Sequence, residues 1–228
     1  IVEQTTRGIT DAQKFDLQSP VVDVATSEPK REVEAKFIGQ SATAKVVQGL
    51  ARIGQPIAKR NVVVMGGGGA TGSIVAEEMA RRGANVTIVE YSADAAAKMR
   101  RRRRPDGKEY TIVLADQVVR RNKAISEAHV ILGTTGHTSL SFADFLNMRS
   151  GVVVASTSSK DIETDRTRLI AEARSREIGK CDNPLVRLPT IKYRLRGKTI
   201  YNLGDGWPLN FDGDVEDIPA PHIQITRA

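Results

Sequence analysis

Short apolar runs rich in β-branched residues alternate along the chain with amphipathic segments. Val62–Met65 is apolar and is followed at once by glycines, and Ser73–Arg82 then repeats its apolar positions at helical spacing. Gly83 ends this predicted helix, and Val86–Val89 is the next predicted strand. A strand, a glycine turn, a helix and a second strand in close succession form the βαβ unit of a parallel sheet.

The alternation of strand-like and helix-like segments continues on both sides of this unit. Further strands are predicted at Ile112–Leu114, Val130–Leu132, Gly151–Ala155, Lys192–Leu195 and Thr199–Leu203. Further helices are predicted at Lys36–Ile53, Gln117–Ala128, Phe142–Met148 and Thr164–Arg176. We therefore expect an α/β protein with a Rossmann-type doubly wound parallel sheet over residues 36–203. Residues 1–35 are expected as an extended N-terminal segment with turns, and residues 204–228 as an irregular C-terminal tail.

Composition places the chain among globular proteins. Its 228 residues are 40% hydrophobic, which is enough for one sizeable core. No apolar run reaches the roughly 18 residues of a membrane-spanning helix, and no secretory leader is recognised, so no membrane partner is expected. Cys181 has no disulfide partner, which favours a cytoplasmic setting, and the scattered histidines indicate no metal site. The chain begins at Ile1, which leaves open that it is a fragment.

Much of the net charge of +7 comes from one place. Arg100–Arg104 is an uninterrupted basic run followed by the turn residues Pro105–Gly107, so the run is predicted to lie in an exposed loop. A solvated surface loop and a phosphate or polyanion contact site are both compatible with it. Few aromatic residues lie nearby to stack on bases, which argues against nucleic acid as the main partner.

The glycine-rich turn of the first βαβ unit is the most specific motif in the chain. Gly67-x-Gly69-x-x-Gly72 follows a strand and opens a helix, which is the context that a dinucleotide-binding motif requires. The first glycine permits the tight turn, the second lets backbone approach a pyrophosphate, and the third lets the helix pack against the strand. The predicted cofactor-binding residues here are Gly67, Gly69, Ala70, Thr71 and Gly72. A purely structural glycine turn is the alternative.

Two further features concern the dinucleotide: one indicates which it is, and the other where its second half would lie. Glu90 ends the second strand, where a carboxylate accepts the ribose 2′-hydroxyl and repels a 2′-phosphate, so NAD is favoured over NADP. Thr134, Thr135 and Gly136 follow a later strand, and their small size lets backbone approach a ribose or a nicotinamide. An ordinary strand-ending turn is the alternative for these three residues.

Motifs at five places resemble, in order, the NAD-binding domain of S-adenosylhomocysteine hydrolases. They are Glu3–Gly8 (similar to EETTTG), the glycine turn with Glu90, Thr134–Gly136, Val154–Asp161 (similar to VCNIGHFD), and Tyr201–Gly204 with Gly206–Pro208 (similar to VNLG and GHP). The resemblance implies that NAD is contacted by Thr5, Thr6, Glu90, Thr135 and Asn202, with Asn202 on the carboxamide. It also implies a homo-oligomer and a reaction in which NAD transiently oxidises a ribose hydroxyl.

The sequence departs from that family on the substrate side. Gln4 stands where the family has Glu, Ser159 where it has an active-site His, and Trp207 where it has the His of GHP. The family's Lys–Asp pair is matched by Lys30 and Glu34 if one residue is deleted nearby, so residues 1–35 would form a hinge or substrate-side segment. The family's substrate domain and interlocking tail have no counterpart here. Ordinary hydrolysis of S-adenosylhomocysteine by this chain alone is not expected.

The leading hypothesis is an NAD-dependent, adenosylhomocysteinase-like enzyme that oxidises a hydroxyl of a polar, nucleoside-like small substrate. Lys30, Glu34 and His137 are the candidates for proton transfer, and NAD accepts the hydride. A solvated turn is the alternative for Lys30, and a partly exposed loop position is the alternative for His137. The competing hypotheses are a non-catalytic NAD-binding subunit or regulator, and a polyanion-binding module centred on the basic run.

Overall fold

A computed structural model of the chain describes residues 1–158, 161–179 and 189–209. Its strands are β1 (Val2–Glu3), β2 (Val22–Asp23), β3 (Asn61–Met65), β4 (Asn85–Glu90), β5 (Thr111–Leu114), β6 (Val130–Gly133), β7 (Val152–Ser156), β8 (Ser175–Ile178), β9 (Thr190–Leu195) and β10 (Lys198–Leu203). Its α-helices are α1 (Thr6–Ala12), α2 (Ala35–Arg52), α3 (Ala70–Arg81), α4 (Ala93–Arg100), α5 (Val118–Glu127), α6 (Phe142–Asn147) and α7 (Arg166–Glu172). A π-helical segment, Pro29–Glu34, leads into α2, and a 3-10 turn, Gly204–Gly206, follows β10.

The strands from β3 onward form one eight-stranded sheet in the order β5-β4-β3-β6-β7-β10-β9-β8. Neighbouring strands from β5 to β10 are parallel, and β9 and β8 are added antiparallel beyond β10. Taken in chain order, the six parallel strands lie in the 3-2-1-4-5-6 arrangement of a doubly wound dinucleotide-binding sheet. The Rossmann-type fold expected from the sequence is confirmed. Its strand order reverses between β3 and β6, and this switch point opens a crevice above the carboxyl ends of the strands.

The central strands are buried on both faces between two apolar layers. In β3, Val62 and Val64 belong to the layer that includes Val75 and Met79 of α3, whereas Val63 and Met65 belong to the opposite layer. The opposite layer also contains apolar side chains of α5, α6 and α7. Because both faces of the sheet are covered by helices, its central strands are continuous apolar runs rather than alternating ones.

The expectation of an extended N-terminal segment is wrong in part. The chain forms α1 over Thr6–Ala12 and a π-helical segment over Pro29–Glu34. Thr5 caps α1, because its hydroxyl accepts the N–H of Gly8 at 2.9 Å, and proline occupies the first position of the π-helical segment. These short helices depend on a cap and on packing against neighbours, so no helical repeat of apolar residues marks them in the sequence.

The single helix expected over Thr164–Arg176 is also wrong in its second half. α7 ends at Glu172, Ala173 is extended, and β8 then pairs with β9 at the edge of the sheet. β8 has mostly exposed side chains, so its pairing with β9 defines it rather than an apolar pattern. The other predicted helices and strands of residues 36–203 agree with the structure to within three residues at each end.

Some of the sequence predictions concern parts of the chain that the structure does not describe. Ser159, Cys181 and His222 lie outside the described residues, and so does the tail beyond residue 209. Within the described ranges, none of the helices combines the length and the apolar character needed to cross a lipid bilayer.

An ion pair joins α5 to α6 on one face of the sheet. Arg121 Nη1 and Nη2 donate to the two carboxylate oxygens of Asp144 at 2.7 and 2.9 Å, and Asp144 is 5% exposed. Asp144 also accepts the N–H of Ser141 at 2.8 Å and so completes a capping box at the start of α6. Burial alone would raise the pKa of Asp144, but the Arg121 guanidinium and the Ser141 N–H hold it below its usual value.

We expect the free energy of unfolding to decrease as the pH falls below about 4. The pKa of Asp205, like that of Asp144, is lowered, because hydrogen bonds from Arg166, Tyr193 and Arg176 outweigh the effect of burial. A carboxyl group with a lowered folded-state pKa stabilises the fold fully above its unfolded pKa, and this stabilisation is lost as pH falls through the folded value.

Urea unfolding measured between about pH 7 and about pH 3 tests this expectation. Asp144→Asn should reduce both the stability at neutral pH and its acid dependence. An unfolding free energy that stays constant across that range would contradict the expectation.

Candidate functional site

The chain turns between β3 and α3 through four consecutive glycines. Gly66 has a φ of 78°, a backbone conformation that favours glycine, and Gly69 is the N-cap of α3. A Cβ atom on Gly72 would collide with the carbonyl oxygen of Gly66, and one on Gly67 would lie 2.9 Å from the Cγ2 atom of Ile88. Gly72 therefore lets α3 pack on the turn, and Gly67 lets the turn pack on β4.

The amino end of α3 faces the crevice at the switch point. Ala70 and Thr71, its first two residues, line this crevice. The first N–H groups of a helix have no acceptor within the helix, and the helix dipole places partial positive charge there. This end of α3 therefore provides the features of an anion site, such as a site for a pyrophosphate.

Glu90 lies beside the glycine turn at the end of β4. Its side chain is 6% exposed, and Oε2 accepts the N–H of Gly68 at 2.7 Å. Oε1 accepts the N–H groups of Tyr91 at 2.8 Å and Ser92 at 3.0 Å. These bonds fix the carboxylate next to the turn, which is the placement that the sequence motif predicted.

The turn after β6 forms the other side of the switch point. The hydroxyl of Thr134 donates to Met65 O at 2.7 Å and so ties this turn to the end of β3. The N–H groups of Thr135 and Gly136 donate to the carboxylate of Glu163, a side chain that is 1% exposed. Sequence reasoning missed Glu163, because a lone glutamate is usually exposed and no local pattern indicates its burial.

The π-helical segment brings an ion pair to the same crevice. Lys30 Nζ donates to Glu34 Oε1, and the two side chains are 18% and 8% exposed. Lys30 therefore lies on a helical segment and is largely buried, so the solvated turn proposed as its alternative is wrong. The structure brings two of the three candidate proton-transfer residues together.

The EETTTG-like segment lies close to this pair. Thr5 lines the crevice, and its hydroxyl donates to Glu3 Oε1 at 2.7 Å while accepting the N–H of Gly8. Thr6 begins α1, and its side chain lies outside what the structure describes. Gln4 also lines the crevice.

The Gln4–Thr5 segment, the π-helical segment, the start of α3 and the turn after β6 line a cleft of about 460 Å³, which we call the switch-point cleft. Its lining residues are Gln4, Thr5, Ala25, Thr26, Lys30, Arg31, Glu34, Ala35, Ile38, Ala70, Thr71, Thr134, Thr135, Gly136, Thr157 and Ser158. Hydroxyl and amide side chains dominate the polar part of this lining. The cleft therefore offers hydrogen-bond donors and acceptors to a polar ligand, with one ion pair at its wall.

Six of the described predicted site residues do not line the switch-point cleft itself: Gly67, Gly69, Gly72, Glu90, His137 and Asn202. The glycine turn and Glu90 adjoin it through Ala70 and Thr71 at the start of α3. His137 is exposed on the loop after Gly136. Asn202 is 1% exposed at the end of β10, and its Oδ1 atom accepts the N–H of Gly206 at 3.2 Å. The Nδ2 atom of Asn202 has no hydrogen-bond partner among the described residues. The cofactor contact of Asn202 and the catalytic role of His137 stay predictions.

The basic run lies near the amino ends of the strands, whereas the glycine turn lies at their carboxyl ends. α4 begins after the carboxyl end of β4 and ends at Arg100, so the arginines that follow lie toward the amino ends of the strands. Arg104 Nη2 donates to Ala84 O at 3.3 Å, just before the start of β4. Arg103 pairs with Glu109, and Arg104 pairs with Asp106. This run is therefore too far away to contact a phosphate held at the amino end of α3.

Comparison with known proteins gives one match among curated sequences. The chain is similar to S-inosyl-L-homocysteine hydrolase. It is 28% identical to that enzyme of Methanothermobacter thermautotrophicus over 214 residues, covering 91% of this chain and 46% of the relative. The chain thus spans about half the length of this relative. The divergent resemblance to the S-adenosylhomocysteine hydrolase-like family that the motifs indicated is confirmed. No family model matches the chain.

Among solved structures, the chain resembles dipicolinate synthase. The Bacillus halodurans protein aligns with a TM-score of 0.54 and 17% identity over 75% of this chain and 54% of that one. The Bacillus subtilis protein aligns with a TM-score of 0.50 and 15% identity over 75% and 53% of the two chains. At this level of identity the likeness supports the fold alone.

Proposed function

We propose that this chain binds NAD across the switch-point cleft and takes part in the oxidation of a hydroxyl group on a nucleoside-like small molecule. The observation that carries the proposal is the placement of the Glu90 carboxylate beside a four-glycine turn at the switch point of a doubly wound sheet. The amino end of α3 would hold the pyrophosphate, and Glu90 would accept the 2′-hydroxyl of the adenosine ribose. The second half of the cofactor would extend along the Thr134–Gly136 turn.

The residues present fit this cofactor. A Cβ atom on Gly69 would approach Gly66 O at 3.4 Å, an ordinary contact, so the protein itself does not need glycine there. The close approach of a pyrophosphate would explain glycine at this position, whereas Gly67 and Gly72 are required by packing. Bound NAD would supply a hydride acceptor.

We expect the protein to bind NAD more tightly than NADP by about tenfold or more, because Glu90 repels a 2′-phosphate. Glu90→Gln keeps the size of the side chain and removes its charge, so the preference for NAD should shrink. Calorimetric titration of both nucleotides measures the two dissociation constants. Glu172→Gln, at an exposed position on α7, is the matched control and should leave the preference unchanged. Equal affinities for NAD and NADP in the wild-type protein would contradict the assignment.

We expect Gly69→Ala and Gly72→Ala to separate cofactor binding from folding. Gly69→Ala should weaken NAD binding by about tenfold or more with a small change in melting temperature, because the new methyl group meets the pyrophosphate rather than the protein. Gly72→Ala should lower the melting temperature of the protein without cofactor, because its Cβ collides with Gly66 O. Thermal unfolding and NAD titration of both variants test the pair. NAD binding that is unaffected in a folded Gly69→Ala variant would remove the pyrophosphate from this turn.

The ion pair in the cleft supports an enzymatic role. As a substrate hydroxyl is oxidised, its carbon loses a hydride and its oxygen loses a proton. In this proposal Glu34 would first accept a proton from the Lys30 ammonium group, and the neutral Lys30 amine would then take the proton of the hydroxyl. The relative is named for S-inosyl-L-homocysteine, a thioether of a nucleoside, which supports the nucleoside-like class of substrate proposed here.

A non-catalytic NAD-binding subunit is the second candidate. The observation that favours it is the substrate side of the cleft, where Gln4, which cannot ionise, lines the wall at the position of the hydrolase glutamate. Turnover measurements on Lys30 variants, described in the Discussion, distinguish the two candidates.

A further inference from the structure

Glu163 is a buried carboxylate beneath one end of the switch-point cleft. Its Oε1 atom accepts the N–H groups of Thr135 and Gly136, both at 2.6 Å, and the hydroxyl of Ser158. Its Oε2 atom accepts the hydroxyls of Thr135 at 2.9 Å and Ser139 at 2.7 Å. Thr135, Gly136 and Ser158 all line the cleft, so the carboxylate lies directly behind the cleft wall.

Among the described residues, the groups that donate hydrogen bonds to this carboxylate are neutral. Its five hydrogen bonds come from two backbone N–H groups and three hydroxyls, and no ion pair found among the described residues includes Glu163. All five groups donate, so both oxygens of the carboxylate act as acceptors. Because no cation among the described residues pairs with it and the side chain is 1% exposed, its negative charge would act on the adjacent part of the cleft.

The position of this charge relative to the proposed cofactor follows from the sheet. A doubly wound sheet is built from two mononucleotide-binding halves. Glu90 on β4 lies in the half proposed to take the adenosine, so the nicotinamide half extends over β6 and β7, where Thr135, Gly136 and Ser158 lie. The nicotinamide ring is positively charged in NAD⁺ and neutral in NADH. A fixed negative charge behind this wall therefore stabilises the oxidised form more than the reduced form.

We infer that Glu163 is a positioning residue with a second role: it holds the Thr135–Gly136 turn, and its charge makes the site prefer NAD⁺ to NADH. This inference rests on the proposed function, because it assumes that nicotinamide lies at this turn. Its consequence is that the resting protein carries the oxidised cofactor, the form able to accept a hydride from a substrate hydroxyl. Elsewhere in the cleft lining, Lys30 and Glu34 form an ion pair whose two charges largely cancel, and the exposed Arg31 adds one positive charge that solvent screens.

Glu163→Gln separates the charge of this residue from its hydrogen bonds. The amide oxygen can accept the two backbone N–H groups at the Oε1 position, and the amide nitrogen can donate to the two hydroxyls, which are able to reverse their role. We expect wild-type protein to bind NAD⁺ more tightly than NADH. In Glu163→Gln the ratio of the NADH to the NAD⁺ dissociation constant should fall by about fivefold or more. Titrations of each nucleotide, followed by calorimetry and by NADH fluorescence, give this ratio.

Two control variants distinguish charge from structure. Ser139→Ala removes one hydrogen bond to Glu163 and keeps its charge, so it should weaken both nucleotides to a similar extent and leave the ratio unchanged. Glu172→Gln removes an exposed charge on α7 and should also leave the ratio unchanged.

The outcomes separate this inference from the proposed function. Wild-type protein that binds neither nucleotide contradicts the proposed function itself. Binding of both with the same ratio in wild-type and folded Glu163→Gln protein overturns the inference and leaves the proposed function standing. If Glu163→Gln does not fold, the wild-type ratio decides, and tighter binding of NADH than of NAD⁺ overturns the inference.

Discussion

Replacement of Lys30 by methionine is expected to lower turnover by about a hundredfold or more while NAD binding changes little. Methionine has a length similar to that of lysine but carries no proton-accepting amine. The Lys30 amine is largely buried against Glu34 in the cleft wall, whereas the pyrophosphate and the adenosine ribose of NAD are assigned to the glycine turn and to Glu90. Loss of the amine should therefore affect proton transfer more than cofactor affinity.

The measurement is the appearance of NADH absorbance when S-inosyl-L-homocysteine, inosine or adenosine is added to NAD-loaded protein. Lys36→Met is the matched control, because Lys36 lies in the first turn of α2 and its side chain is exposed. Turnover that persists in Lys30→Met would contradict the role of this lysine. Wild-type protein that binds NAD and reduces none of it with any of these compounds would favour the non-catalytic subunit.

Replacement of Asp205 by alanine is expected to destabilise the fold by about 2–3 kcal/mol. Asp205 is 7% exposed and accepts hydrogen bonds from Arg166 at 3.0 Å, Arg176 at 2.7 Å and Tyr193 at 2.7 Å. Its removal leaves these donors beside an uncompensated cavity. The expected loss is smaller than for a fully buried pair, because Arg166 keeps Asp161 as a partner and Arg176 is 37% exposed.

Two further variants separate the network from the backbone at this position. Asp205 has a φ of 52°, where alanine is strained and glycine is not. Asp205→Gly should therefore be less destabilised than Asp205→Ala but still less stable than wild type. Asp116→Ala, at an exposed position after β5, is the control for loss of a surface carboxylate. Urea unfolding gives the three free energies, and wild-type stability in Asp205→Gly would show that the network contributes nothing.

The parallel sheet and the glycine turn could be read from the sequence because each depends on local pattern. Val62–Met65 is apolar throughout, and only Thr87 interrupts Val86–Val89, since helices cover both faces of the sheet. This makes both strands conspicuous in the sequence. The glycine turn is a contiguous motif whose spacing reflects packing between neighbouring elements, as the contacts of Gly67 and Gly72 confirm.

The segments outside the central parallel strands could not be predicted from local pattern in the same way. The π-helical segment over Pro29–Glu34 has no apolar repeat, and β8 is defined by its pairing with β9. The basic run begins only ten residues after Glu90 in the sequence. In the structure α4 separates the two, so that the run lies near the amino ends of the strands and Glu90 at the carboxyl end of β4. Proximity along a chain says little about distance once a helix intervenes.

The sequence by itself determined the fold class, the position of the dinucleotide motif and the placement of an acidic residue at the end of β4. These follow from periodicity and from spacing within one βαβ unit. Only the tertiary structure decided that Lys30 and Glu34 share a buried wall with Thr5 and Thr135, and that Glu163 lies behind the Thr135–Gly136 turn. Those contacts join segments far apart in the chain, and buried polar groups leave no periodic signal, because each is stabilised by particular partners rather than by a face of a helix or strand.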